Sequence, residues 1–148
     1  MNKKGFTLVE LMVVIVIIGV LAAVAIPKMM AATNKAKAGE GPQILRAIGN
    51  MEAAYKAEND KYVLENTETG ISSAAASAGS NWKELGFDQD PFSRYFMFSI
   101  NGTTEAFTAI AKLGVKLGDA NSGSSLSLTY NDTRTAEANL GKLVPNWK

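Results

Sequence analysis

This chain of 148 residues contains neither cysteine nor histidine. Without cysteine it has no disulfide, no thiolate nucleophile and no zinc–thiolate site. Without histidine it lacks the commonest general base and the commonest transition-metal ligand. Serine–histidine and cysteine–histidine catalysis are therefore excluded, which leaves lysine or paired carboxylates as catalytic groups. The composition predicts a protein that is not an enzyme and has no cofactor.

An excess of charge of either sign is also missing. Fifteen lysines and arginines stand against fourteen acidic residues, giving a net charge of +1. Because there is no long basic run, we predict no nucleic-acid partner held by phosphate contacts. The length suits one domain, but its parts differ strongly. Residues 11–26 carry no charge, whereas residues 59–148 are rich in glycine, serine, threonine and asparagine.

The apolar arm runs from Phe6 to Ile26 and contains one charge, on Glu10. As a helix it would measure roughly 31 Å at ~1.5 Å per residue, which matches the hydrocarbon thickness of a bilayer. Lys3 and Lys4 precede it, and basic residues keep that end of a span in the cytoplasm. The pattern predicts a transmembrane helix.

A secretory signal peptide is the alternative interpretation of this arm, since Ala23-Val24-Ala25 fits a cleavage site. Glu10 and the very short leader speak against it, but both interpretations remain open on these residues. An acid in a spanning helix costs about 2.5–3.5 kcal/mol at the bilayer centre and is functional by default. Glu10 therefore either pairs with an amine or lies among the lipid headgroups.

Residues 4–27, KGFTLVELMVVIVIIGVLAAVAIP, resemble the class III leader and N-terminal helix of type IV pilins and type II secretion pseudopilins. The resemblance implies that a prepilin peptidase removes residues 1–5, cutting after Gly5, and methylates Phe6. It implies that Glu10 pairs with the N-terminal amine of a neighbouring subunit, and that Pro27 breaks the helix. Residues 6–26 would form the transmembrane and filament-core helix, and residues 27–148 the extracytoplasmic head.

The same resemblance implies a function and its partners. The chain would wait in the bacterial inner membrane, with a cytoplasmic N-terminus, and polymerise with itself on an inner-membrane assembly platform into a type IV pilus-like filament. The first alternative is the major pseudopilin of a type II secretion system, in a periplasmic pseudopilus. The absence of cysteine departs from the disulfide of most pilins and favours pseudopilins or cysteine-free pilins. The second alternative is a tethered or secreted binding domain that does not polymerise.

Beyond the arm, Gly39, Gly41 and Pro42 predict a kink or a melted turn. Alternatively, one helix ends there and another begins with Pro42 in its first turn. The following helix has an apolar face that we expect to pack on a sheet, formed by Ile44, Leu45, Ile48, Met51 and Tyr55. Glu52 is assigned to its polar side.

Residues 63–91 are predicted to be a long loop with a short helix near residues 81–85. Trp82, Leu85 and Phe87 would attach this loop to the core. Asp88 and Asp90 are weak candidates for calcium, because such a site needs six or more oxygen ligands. Their alternative interpretation is a charged turn.

Alternating apolar residues predict strands at 95–100, 105–112 and 126–130, with hairpin turns at Asn101-Gly102 and Asn131-Asp132. Residues 133–143 predict a weaker fourth strand or an irregular return. Residues 143–148 would cover the exposed edge of the sheet. The expected fold is α+β, with a long N-terminal helix on a sheet of three or four antiparallel strands.

Overall fold

A computed structural model describes residues 5–69, 81–87 and 93–147. It confirms the α+β prediction of a long N-terminal helical segment packed with an antiparallel sheet. The chain divides into two compact units, Met1–Thr33 and Asn34–Lys148. The elements in chain order are α1 (Leu8–Ala38), α2 (Glu40–Asn59), β1 (Glu65–Thr69), a 3-10 turn (Asn81–Lys83), β2 (Phe96–Thr103), β3 (Ala106–Leu113), β4 (Ser125–Thr129), β5 (Arg134–Ala136) and α3 (Ala138–Leu143).

The interruption between α1 and α2 is confined to Gly39. This residue keeps a helical backbone, with φ −66° and ψ −18°. Its N–H donates to the carbonyl oxygens of Lys35, at 3.1 Å, and Ala36, at 3.2 Å. Pro42 lies in the first turn of α2. The structure therefore follows the alternative interpretation, in which one helix ends and another begins with Pro42 in its first turn, and it shows no melted turn at these described residues.

Helix α1 continues through Pro27, where the sequence predicted a break. Proline removes one backbone donor and the hydrogen bond that this donor would make. The neighbouring hydrogen bonds of a long helix remain, and proline is tolerated in apolar helices where other groups satisfy the freed carbonyl. The structure does not show the break expected at this residue.

Within the described residues, five antiparallel strands form one sheet in the order β1-β2-β3-β4-β5. Helix α2 packs against β3 and β4. The apolar face predicted for α2 is confirmed, because Leu45 and Ile48 are fully buried while Met51 and Tyr55 pack against the core. Gly49 allows this close packing, since a Cβ there would lie 2.7 Å from Cδ2 of Leu128.

The predicted loop over residues 63–91 was wrong at its start, because residues 65–69 form edge strand β1. This segment, ENTET, has no apolar alternation from which a strand could be predicted. Later in the loop, Trp82 and Leu85 are buried and Phe87 packs against Trp82 with ring centroids 5.8 Å apart. The prediction that these residues attach the segment to the core is confirmed.

The first hairpin turn was predicted three residues too early. Asn101 and Gly102 belong to β2 and pair with β3, so the turn lies at residues 104–105. Gly102 has a φ of 145°, and a Cβ there would lie 2.2 Å from the carbonyl oxygen of Ala106. The glycine is thus required by a close approach of two strands and not by the turn.

The C-terminal part combines a confirmed turn with an unexpected helix. Asp132, with φ 59°, lies in the predicted turn between β4 and β5. Of the two alternatives predicted for residues 133–143, the weaker strand forms at β5, and the remainder is not an irregular return but α3, which buries Leu140. Further on, Nε1 of Trp147 donates to the carbonyl oxygen of Thr135 at 3.1 Å. The C-terminal segment therefore contacts edge strand β5, as predicted.

Candidate assembly site at the N-terminal helix

The first unit exposes its apolar residues. From Phe6, 82% exposed, to Met30, 62% exposed, the large apolar side chains of this segment lie at the surface of the chain. Within the part of the chain that the structure describes, the helical stretch Leu8–Asn59 is the one segment long and apolar enough to cross a membrane. So much apolar surface is unfavourable in water and needs lipid or other helices around it.

The helix begins with a capping box formed by Thr7 and Glu10. The backbone N–H and the hydroxyl of Thr7 each donate to Oε2 of Glu10 at 2.8 Å. In return, the backbone N–H of Glu10 donates to Oγ1 of Thr7 at 3.3 Å. A threonine before the first turn and a glutamate three residues later satisfy each other's backbone donors in this way. The spacing was visible in the sequence, but the role of Thr7 was missed.

The predicted processing residues lie just before this box. Gly5 and Phe6 are exposed and precede the first residue of α1, so the peptide bond between them is not held in a helix. The structure thus brings Gly5, Phe6 and Glu10 together at one end of α1. A negative side chain there also lies at the positive end of the helix dipole.

The other predicted residues lie elsewhere. Gly41 and Pro42 are buried in the second unit, where a Cβ on Gly41 would lie 3.0 Å from Cζ of Phe96. Asp88 and Asp90 lie outside the described residues. Across residues 5–69, 81–87 and 93–147, no group of three acidic, histidine or cysteine side chains is placed to hold a metal ion.

A second acidic residue was assigned to the wrong side of its helix. Glu52 is fully buried, and its Oε2 accepts a hydrogen bond from the N–H of Val63 at 3.1 Å. Burial raises the pKa of this carboxyl to about 7, against the opposing effect of that hydrogen bond. Helical spacing gave the signal, since Glu52 follows Leu45 by seven residues and Ile48 by four.

Comparisons with known proteins agree with this geometry. The family model described as the prokaryotic N-terminal methylation motif matches residues 1–26. Type II secretion system core protein G of Pseudomonas aeruginosa is 30% identical over 115 residues, which are 72% of this chain and 80% of that protein. Core protein G of Aeromonas hydrophila is 34% identical over 108 residues, 66% of this chain and 74% of that protein.

Type IV major pilin protein PilE of Neisseria gonorrhoeae is 40% identical over 85 residues, 56% of this chain and 50% of that protein. The chain thus spans about half the length of this pilin relative. The apolar helix begins at the methylation motif and is followed by an α+β head, and this arrangement is that of a pilin-like protein. The length and composition of the helix fit a membrane anchor. The chain belongs to the family of type IV pilins and type II secretion pseudopilins.

Proposed function

We propose that this chain is the structural subunit of a type IV pilus-like filament. The observation that carries the proposal is the apolar surface of α1, whose large side chains from Leu8 to Met30 are exposed. Lipid covers this surface while the subunit waits in the inner membrane, and neighbouring α1 helices cover it in the filament. Both states keep it away from water. Small residues, Gly19, Ala22 and Ala23 among them, allow the helices to approach closely.

Processing prepares the subunit for assembly. A prepilin peptidase cuts after Gly5 and methylates Phe6, as the matched motif and the exposed, non-helical Gly5–Phe6 bond support. The intact mass of the purified mature protein should equal residues 6–148 plus one methyl group. A mature chain that begins at Ile26 would contradict this proposal and favour a secreted domain.

Glu10 then positions the incoming subunit. Its Oε2 caps α1 through Thr7, and a carboxylate has a second oxygen with which to bind a neighbour's Phe6 amine. An ion pair formed away from water is held far more strongly than one at a surface. No catalytic step and no cofactor is needed for this role. The head would face the periplasm or the exterior and carry any adhesive surface.

A major pseudopilin of a type II secretion system is the second candidate. Matches to core protein G extend over 74% and 80% of those relatives, and therefore far into the head. Deleting the gene in its own bacterium separates the two functions. Loss of surface filaments with normal export of hydrolases supports the pilus, whereas lost export without lost filaments supports the pseudopilus. If neither changes, the chain is a binding domain that does not polymerise.

A further inference from the structure

Two arginines of the head lie against one tryptophan. The guanidinium carbon of Arg46, on α2, is 5.7 Å from the ring centroid of Trp147, and that of Arg134, on β5, is 5.5 Å from it. The ring itself is 1% exposed and is held by its hydrogen bond to Thr135. Both guanidinium groups therefore lie within cation–π distance of one buried ring.

The two guanidinium groups differ in their partners. Arg134 binds Asp132 through two oxygens, at 2.7 and 2.8 Å from Nη2. Within the described residues, Arg46 makes no ion pair with a carboxylate, and its side chain is exposed. Arg46, Arg134 and Asp132 together have a net charge of +1. A planar guanidinium with free donors is suited to bind a carboxylate through two hydrogen bonds.

Two cavities of the head share Arg46 as a lining residue. One, of about 370 Å³, lies between α2 and the ends of β3 to β5, and Asn50, Tyr62 and Tyr130 line it with both arginines. The other, of about 260 Å³, is lined by Lys35, Gln43, Asn146 and Trp147. The larger cavity falls within the usual 300–1,000 Å³ of small-molecule sites. We call the two cavities together the arginine groove.

The lining of the arginine groove indicates the chemistry of its ligand. Arg46 offers donors for a carboxylate, Asn50 and Gln43 offer amides for hydroxyl groups, and the ring of Tyr130, 55% exposed, offers a flat apolar surface. A sugar acid has a carboxylate, several hydroxyl groups and an apolar ring face, and so can contact all three kinds of side chain. We propose that the arginine groove binds an acidic oligosaccharide, with a uronate carboxylate on the guanidinium of Arg46.

Other polyanions fit this groove less well. A nucleic acid is bound through many phosphate contacts, whereas Lys35, Arg46 and Arg134 are the cations that line these two cavities and Asp132 neutralises one of them. An acidic peptide supplies carboxylates but no hydroxylated ring for the tyrosine and the amides.

The test is calorimetric titration of the full-length chain, in micelles of a nonionic detergent, with tetragalacturonate. The unmodified chain should bind this probe, and more weakly as salt is added. Arg46→Gln should weaken binding about 10-fold or more, because a hydrogen bond to a charged group contributes about 1.5–3 kcal/mol. Arg46→Lys keeps the charge but loses the planar pair of donors, so it should give an intermediate affinity.

The matched control is Arg94→Gln, which removes the same charge from an exposed arginine that lines neither cavity. Its affinity should stay within about twofold of the unmodified chain. The proposal is overturned if the unmodified chain does not bind, or if Arg94→Gln weakens binding as much as Arg46→Gln. Equal or tighter binding of neutral galactotetraose, hexaglutamate or a short single-stranded DNA overturns it as well.

Discussion

Glu10 on α1 and Glu52 on α2 stand in opposite environments. Glu10 is exposed among exposed apolar side chains, and its carboxylate accepts two hydrogen bonds from Thr7. Glu52 is fully buried, hydrogen-bonded to the N–H of Val63, and its pKa is raised to about 7. The apolar side chains around these two glutamates differ in the same way, because those of α1 are exposed and those of α2 are buried in the core.

The difference follows from how apolar residues are distributed around each helix. In α2 they recur on one face, so the sheet can cover them while polar residues face water. In α1 they surround the helix, so that no single packed face could cover them all. The head should thus be stable by itself, whereas α1 depends on lipid or on other subunits.

The largest effect is expected for Glu10→Gln. Glutamine keeps the size of the side chain and its oxygen for Thr7, so the capping box can remain, but the charge for the neighbour's amine is lost. Removing one member of a buried ion pair costs about 3–5 kcal/mol. Filaments should be absent from sheared material in electron microscopy, at equal membrane levels on a blot. Normal filament numbers would mean that Glu10 only caps its own helix.

Removal of residues 1–28 should separate the stability of the head from that of the apolar part of α1. The remaining head keeps α2, the sheet and the buried side chains of the core. We expect a soluble, folded monomer, measured by circular dichroism and size-exclusion chromatography. An unfolded product at neutral pH would show that α1 contributes to the stability of the head.

Because the carboxyl of Glu52 is buried, we expect the free energy of unfolding of the head to depend on pH. Its pKa rises from an ordinary 4.5 to about 7 on folding, mainly through burial, so the folded state favours the protonated form. The stability that Glu52 contributes is complete below about pH 4.5 and is lost as the pH rises through about 7. The full shift of this pKa corresponds to a loss of about 3 kcal/mol in the free energy of unfolding.

Glu52→Gln should remove this dependence, because the amide stays neutral and its oxygen can still accept from Val63. Urea unfolding at pH 5 and pH 8 measures the change in each variant. The matched control is Glu58→Gln, at an exposed glutamate of the same helix, which should retain the pH dependence. If Glu52→Gln loses stability between pH 5 and pH 8 as much as the unmodified head does, another group causes the change.

The sequence predicted most where a pattern was periodic or specific. The helical spacing of Leu45 and Ile48 predicted the face that packs on the sheet, and alternation predicted β2 to β4. Polar β1 was missed because backbone pairing with β2 forms it without an apolar pattern. The turn at Gly102 was misplaced because glycine serves a turn and a close strand contact equally well.

The site residues show the same division. Gly5, Phe6 and Glu10 were recognised through a motif, and their roles stay predictions. Thr7 was missed although its spacing to Glu10 matches a capping box. Glu52 was misassigned because acidic residues are almost never fully buried, and that expectation outweighed its position between core residues.

The smallest effect is expected for Thr7→Ala. This change removes the hydroxyl that caps α1, at a cost of about 0.5–2 kcal/mol, and leaves the charge of Glu10 in place. It is thus the converse of Glu10→Gln, which keeps the cap and removes the charge. If the charge drives assembly, Thr7→Ala should yield filaments within about twofold of the unmodified chain by electron microscopy. Thr7→Ser, which retains the hydroxyl, should match the unmodified chain. Loss of filaments with Thr7→Ala but not with Thr7→Ser would instead assign the role of Glu10 to the start of its own helix.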